Sequence, residues 1–350
     1  MASVILDPGL LAFIPSLSKK QLIKRIEILS GWSKTNSTQP WVKIALAPGV
    51  QAFLERNALF PSYEPAKALL ESTGLRSIYA PEDIIRPLTS LLESAISNEF
   101  CCVTDELHQE FVSEPCQPWH GEAVVDEMSQ RALILAHVEN QAHNDRKLNL
   151  FASILESANV AFSARIDAID PPNAGNYEAS NLPLDIEDEF PHVCSFEDVC
   201  SALDAQQIWA GATSASQIKF AIQLGCRLHL IAAGRYDEFA DIPTFYVGSD
   251  FLPSLIRWQA NAVHPFAAKT LESCVAAVLD MPTITIKPFF TKRYRSLDLA
   301  APLRAHLSKK GVGLRLMMWQ KPGPKRTIEF ANVGGKSEEE ITYSDPKDAR

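Results

Sequence analysis

The sequence predicts α/β followed by α+β: an amino-terminal parallel α/β domain, then a carboxy-terminal domain whose helices pack on a curled antiparallel sheet. Three observations predict it. Over the first hundred residues, short apolar runs alternate with amphipathic segments of helix length. That β-α-β-α rhythm makes a parallel sheet with crossover helices. Residues 170–192 then hold four prolines and six acids with little periodicity, the pattern of a linker or long acidic loop. Beyond residue 284 the chain turns to short extended runs. The expected division is a domain over 1–170, a linker over 171–192, a domain over 193–343 and a frayed tail over 344–350.

Each element has a local reason. Val4-Ile5-Leu6 before Asp7-Pro8-Gly9 reads as a buried first strand ending in a turn. Ser18 caps a helix from Lys19 to about Trp32, with Leu22, Ile23, Ile26 and Leu29 on one face. Trp41–Leu46 is a second strand, and helices follow over Pro48–Arg56 and Tyr63–Ser72. Leu75–Tyr79 reads as a short extended piece. Pro81 then opens a helix to about Ser94. Glu122–Leu135 and Asp145–Ser157 look helical, and Asn159–Ile169 alternates like a strand. After the acidic stretch come helices over 196–206 and 214–224, a strand over 226–232, and helices over 249–260 and 265–279. Four extended runs close the chain, at 284–290, 302–308, 312–320 and 326–334.

Composition narrows the class. A chain of 350 residues, 46% hydrophobic and 21% charged, is an ordinary globular chain of about two domains at roughly 100–200 residues each. Its longest apolar runs fall far short of the ~18 residues of a membrane span. The amino terminus lacks a basic flank and reads as a core strand rather than a signal peptide. Seven scattered cysteines, an odd number, suit reduced thiols in a cytoplasmic setting.

Charge distribution carries the strongest functional signal. The net charge is −9, yet from Lys287 to Lys336 twelve bases face only Asp298 and Glu329. That stretch therefore carries +10 and leaves −19 on the remainder. Such asymmetry points to an anionic partner, RNA or DNA, or to contact with an acidic protein surface. Lys292, Arg293, Arg295, Lys309, Lys310, Lys325 and Arg326 are the expected nucleic-acid contacts. By strand alternation Arg304 and His306 share one face, which predicts a sheet with a basic outer surface. Lysines and arginines that merely blunt sheet edges give the same pattern.

A helix feeding antiparallel strands with arginines on successive strands resembles the RelE/HigB/ParE-like toxin fold. Arg304 and Arg315 match the paired-strand arginines of that family. Val333-Gly334-Gly335-Lys336 matches its final strand, with lysine in place of arginine, and Tyr343 stands for its terminal tyrosine. The resemblance covers about a fifth of the chain, roughly 265–343. It implies RNA cleavage in a prokaryotic toxin or phage-defence setting, with Arg304, His306, Arg315, Lys336 and Tyr343 as catalytic residues. Metal-free cleavage needs cations around a phosphorane and a group that moves the 2′-OH proton. His306 is the nearby side chain that titrates near neutrality. Binding without cleavage, and a non-catalytic adaptor that docks a protein through the same basic sheet, are the alternatives.

VILDPGLL at 4–11 faintly resembles the opening of a PIN-like nuclease domain. That resemblance implies a divalent metal such as Mg on Asp7, with Asp105 and Asp126 as further ligands. The glutamate expected near the second strand is missing, since Ala47-Pro48-Gly49 fills its place. An aspartate that caps a turn is the competing reading. Cys102, His108, Cys116 and His120 allow a zinc site but lack a Cys-x-x-Cys pair. There is no G-x-G-x-x-G, Walker A or G-x-S-x-G sequence, which argues against nucleotide hydrolysis and α/β-hydrolase chemistry.

Overall fold

The computed structural model of the chain describes residues 2–14, 16–39, 41–47, 49–60, 62–96, 111–112, 123–142, 148–154, 159–166, 184–261, 265–289, 293–308, 313–338 and 340–343. It divides into two compact units, Met1–Val199 and Cys200–Arg350.

The first unit is α/β. Its elements are β1 (Ala2–Leu6), α1 (Pro8–Leu11), α2 (Lys19–Thr38), β2 (Val42–Leu46), α3 (Val50–Arg56), α4 (Tyr63–Ser72), α5 (Glu82–Ile96), β3 (Phe111–Val112), α6 (Ala123–Ala142), β4 (Leu148–Ala152), β5 (Asn159–Ile166) and β6 (Leu184–Val193). The sheet order is β2-β1-β4-β6-β5-β3. The first four strands run parallel, while β5 and β3 extend the sheet antiparallel. Val4, Leu6, Ile44, Leu150 and Phe151 are buried in it. The Ser18 cap forms as expected, with Gln21 reaching back to complete a capping box. Because β2 and β4 flank β1 on opposite sides, the carboxyl ends of β1 and β4 form the switch point where open α/β sheets bind ligands.

The second unit holds α8 (Ala205–Ala210), α9 (Ala215–Ala232), β7 (Phe245–Val247), α10 (Phe251–Arg257), α11 (Pro265–Val278), β8 (Ile286–Pro288), β9 (Ala301–His306), β10 (Arg315–Lys321) and β11 (Thr327–Gly334). A further helix, α7 (Phe196–Ala202), spans the point where the two units divide. The sheet order is β7-β11-β10-β9-β8. β7 joins β11 in parallel, so the sheet is mixed rather than wholly antiparallel, and it is not strongly curled. On one face Leu303, Ala305, Leu316, Met318, Phe330 and Val333 are buried. There Phe330 stacks on Phe251 of α10 at 5.5 Å and meets Phe245 edge-on at 5.9 Å. Ser254 of α10 accepts the Val333 N–H at 2.9 Å.

Several expectations are corrected. Residues 148–152 form β4, not a helix. Residues 226–232 continue α9 rather than forming a strand. Residues 184–192, read as linker, lie in β6 (Leu184–Val193), which pairs with both β4 and β5. Residues 75–79 form turns, not an extended piece.

Candidate functional site

The outer face of the second sheet is where the predicted residues can be tested by position. Strand pairing sets Lys287 opposite Arg304, Arg304 opposite Met317, and Met317 opposite Asn332. The next row toward the sheet end is His306, Arg315 and Gly334. The row on the other side holds Pro302, Trp319 and Glu329. A bulge at Met317/Met318 gives β11 one extra residue.

Much of this face is a second packed layer, not the open basic surface expected. Phe289, Ala300, Met317, Trp319, Ala331 and Ile341 form a buried cluster on it. The carboxy-terminal segment is tied down over the bulge. Trp319 donates its indole N–H to the Thr342 carbonyl at 2.9 Å, and Asn332 donates to the Glu340 carbonyl at 3.1 Å. Thr342 donates back through its N–H to Asn332 at 3.1 Å.

Arg295 belongs to that layer. It is 0% exposed, stacks over Trp319 at 5.2 Å, and donates to Glu329 at 2.7 and 2.9 Å. It also donates to Asp298, at 2.9 Å through Nε and 2.7 Å through Nη2. These bonds, those to Glu329 foremost, raise the guanidinium pKa against the effect of desolvation. The same pairing holds the Asp298 carboxyl below the usual aspartate range. Arg295 is therefore not the phosphate contact the sequence suggested. Arg315, predicted as half of a phosphate clamp, is 7% exposed.

The predicted catalytic set is not assembled. His306 and Arg315 are directly paired, and Arg304 lies one row away. Tyr343 instead packs on Trp319, with ring centroids 5.6 Å apart. Trp319 lies four residues along the strand from Arg315, about 13 Å. Lys336 is exposed just beyond β11. Lys325 and Arg326 sit at the β10–β11 turn, the far end of the sheet, where Arg326 pairs with Asp280 at 2.6 Å. Arg293 is exposed in the β8–β9 connection. Lys292, Lys309 and Lys310 lie outside the described residues.

Lys287 is the residue the sequence reading missed. It was counted as charge but not assigned to the site. It is exposed on the edge strand, directly opposite Arg304. Arg304 lies over the Phe289 ring at 4.9 Å. Among the described residues neither Lys287 nor Arg304 has an acidic partner within ion-pairing distance.

The amino-terminal site has a different character. Asp7 is fully buried at the end of β1 and caps α1. Its Oδ1 accepts from the Gly9 N–H at 2.8 Å and from the Ser129 hydroxyl; its Oδ2 accepts from the Ser153 hydroxyl at 2.5 Å. Arg25, also buried, donates to the Ala12 carbonyl. Desolvation lowers its pKa to about 10, and the Asp7 charge partly opposes that shift. Both Asp7 oxygens are thus engaged by neutral donors inside the switch point. Asp126 is buried on α6, and Asp105 lies outside the described residues. Among the described residues no three acid, histidine or cysteine side chains gather as a ligand set. The zinc candidates Cys102, His108, Cys116 and His120 also lie outside the described residues.

Nearby, His192 Nε2 is 3.1 Å from the Ser153 carbonyl. A carbonyl only accepts, so Nε2 carries the proton. Cys194 Sγ lies 3.7 Å from the same nitrogen. A protonated Nε2 cannot take the thiol proton, so this pair is not set up as nucleophile and base.

Comparison with protein-family models, curated proteins and solved structures yields no match. No helix among the described residues is long and apolar enough to cross a membrane.

Proposed function

We propose that the protein binds a phosphodiester polyanion, RNA in preference to DNA, along the β8–β9 edge of its second sheet. The juxtaposition of Lys287 and Arg304 carries this reading. Like charges directly opposite on neighbouring strands destabilise the pair. Three neighbouring cations are matched instead: Arg295 and Lys321 reach Glu329, and Arg326 reaches Asp280. An anion bridging Lys287 and Arg304 relieves the repulsion between them. Lys336, exposed at the same end of the sheet, extends the positive surface. The reading is binding without cleavage, because Tyr343 lies away from His306.

The test is titration of labelled RNA and duplex DNA with the full chain. Affinity should fall steeply with salt. Lys287→Ala with Arg304→Ala should flatten the slope of log affinity against log salt by about 1.4 on a single strand. Arg326→Ala, at the far end of the sheet, should change little. Unchanged affinity in the double variant, or no binding at low salt, overturns the assignment. A second reading, docking of an acidic protein, draws on Leu297 and Leu299, exposed beside Arg293. Retained protein capture without nucleic-acid binding favours it.

A further inference from the structure

We infer that the polyanion is single-stranded, with Tyr294 and Tyr343 as base-stacking platforms beside the Lys287–Arg304 pair; this rests on the phosphodiester reading above. A duplex hides its base faces and offers a protein only phosphates, sugars and groove edges. A single strand offers π-faces as well. Proteins that bind it place exposed aromatic rings beside a cationic track.

This face has that composition. Tyr294 is 65% exposed and Tyr343 is 61% exposed. Rings this open present a face on which a base can stack. Both are tied to a common foundation. Tyr343 packs on Trp319, and Arg295, the neighbour of Tyr294, stacks over Trp319 as well. Trp319 is fully buried and anchored through Thr342. Arg295 is clamped by Glu329 and Asp298. The connection closes on itself, with the Arg295 N–H on the Ala300 carbonyl and the Leu299 N–H on the Arg295 carbonyl. Leu299 adopts a left-handed backbone, φ 58°, which a leucine takes only where its surroundings hold it there. The buried salt bridge thus holds the backbone from which Tyr294 projects, and the Trp319 ring holds that of Tyr343. Fixed rings lose little entropy on stacking.

The spacing agrees. The Lys287–Arg304 row and the Trp319 row are two residues apart along the strands, about 7 Å. Phosphates held at the first row put the following base within reach of a ring over the second. Arg293, exposed beside Tyr294, offers a further phosphate contact on the same connection.

The experiment compares a single-stranded RNA oligonucleotide, a single-stranded DNA of the same sequence and its duplex, each titrated against the full chain at fixed salt. Single strands are expected to bind more tightly than duplex. Tyr294→Ala with Tyr343→Ala should weaken single-strand binding roughly 25-fold or more, at about fivefold for each lost stack. Its salt slope should stay unchanged, because no cation is removed. Tyr294→Phe with Tyr343→Phe should restore most of the affinity, since the ring rather than the hydroxyl stacks. Duplex binding should be indifferent to all four substitutions. Equal affinity for duplex and single strand, or a tyrosine-to-alanine pair that binds single strands as well as the parent, overturns the inference while leaving polyanion binding intact. Absence of binding to any of the three ligands removes the phosphodiester reading itself.

Discussion

Arg295 shows how far a single side chain can stand from its apparent role. In the sequence it is one base among twelve, and the expectation of a phosphate contact follows from its neighbours Arg293 and Lys292. Its partner Glu329 lies 34 positions away, and no local pattern announces the pairing. A buried charge keeps its place only while it is paired. Glu329→Gln should therefore cost about 3–5 kcal/mol in urea denaturation. Arg295→Met combined with Glu329→Leu should recover most of that loss, because it removes both charges together. A double variant as unstable as Glu329→Gln alone would falsify the pairing argument. Asp298 adds a pH dependence. Arg295 holds its folded pKa below the unfolded value of about 4. The stabilisation is thus complete above that value and lost as pH falls through the lower folded pKa. Urea midpoints taken from pH 6 down to pH 3 should fall less steeply for Asp298→Asn than for the parent. Parallel curves count against the linkage.

At the scale of elements, legibility followed the physics of burial. Helices with one apolar face were readable: Ser18 and the Leu22, Ile26 and Leu29 face announced α2, and α4 falls where its pattern placed it. Elements covered on both sides were not. Leu148–Ala152 lies inside a parallel sheet, and a strand buried on both faces has a continuous apolar run that periodicity cannot separate from a helix. The second half of α9 misled for a related reason. A strand is expected over 226–232, yet the helix runs on to Ala232 straight through Gly225. Its absent side chain is needed for packing. A Cβ there would stand 2.7 Å from Val275 Cγ2 of α11. Valine is confined to one rotamer in a helix and cannot swing clear. Gly225→Ala should destabilise the protein by about 1–3 kcal/mol despite the better helix propensity of alanine. Adding Val275→Ala should return part of that loss. If Gly225→Ala raises the melting temperature instead, the two helices are not held at this distance.

For the whole molecule, the charge asymmetry was plain in the sequence, but its placement was not. Strand alternation correctly set Arg304 and His306 on one face; it could not show that Phe289, Ala300 and Ile341 pack over part of that face, or that Lys287 completes the row. What remains exposed is a short cationic edge on a chain of net charge −9. That combination makes a distinctive prediction about ionic strength. At about 0.1 M salt the Debye length is about 10 Å, so a bound strand senses only the charges within about that distance. Log affinity should then fall linearly with log salt as counterions are released. Near 0.01 M the screening length grows to about 30 Å, comparable with a domain, and the surplus of acids elsewhere on the chain begins to repel the strand. The plot should bend and flatten below roughly 0.03 M, where a basic nucleic-acid-binding protein keeps tightening. Fluorescence titrations from 0.3 M down to 0.01 M would show the bend. A straight line through the whole range means that the partner feels a uniformly positive surface, and the short edge around Lys287 and Arg304 is then too small to be the site.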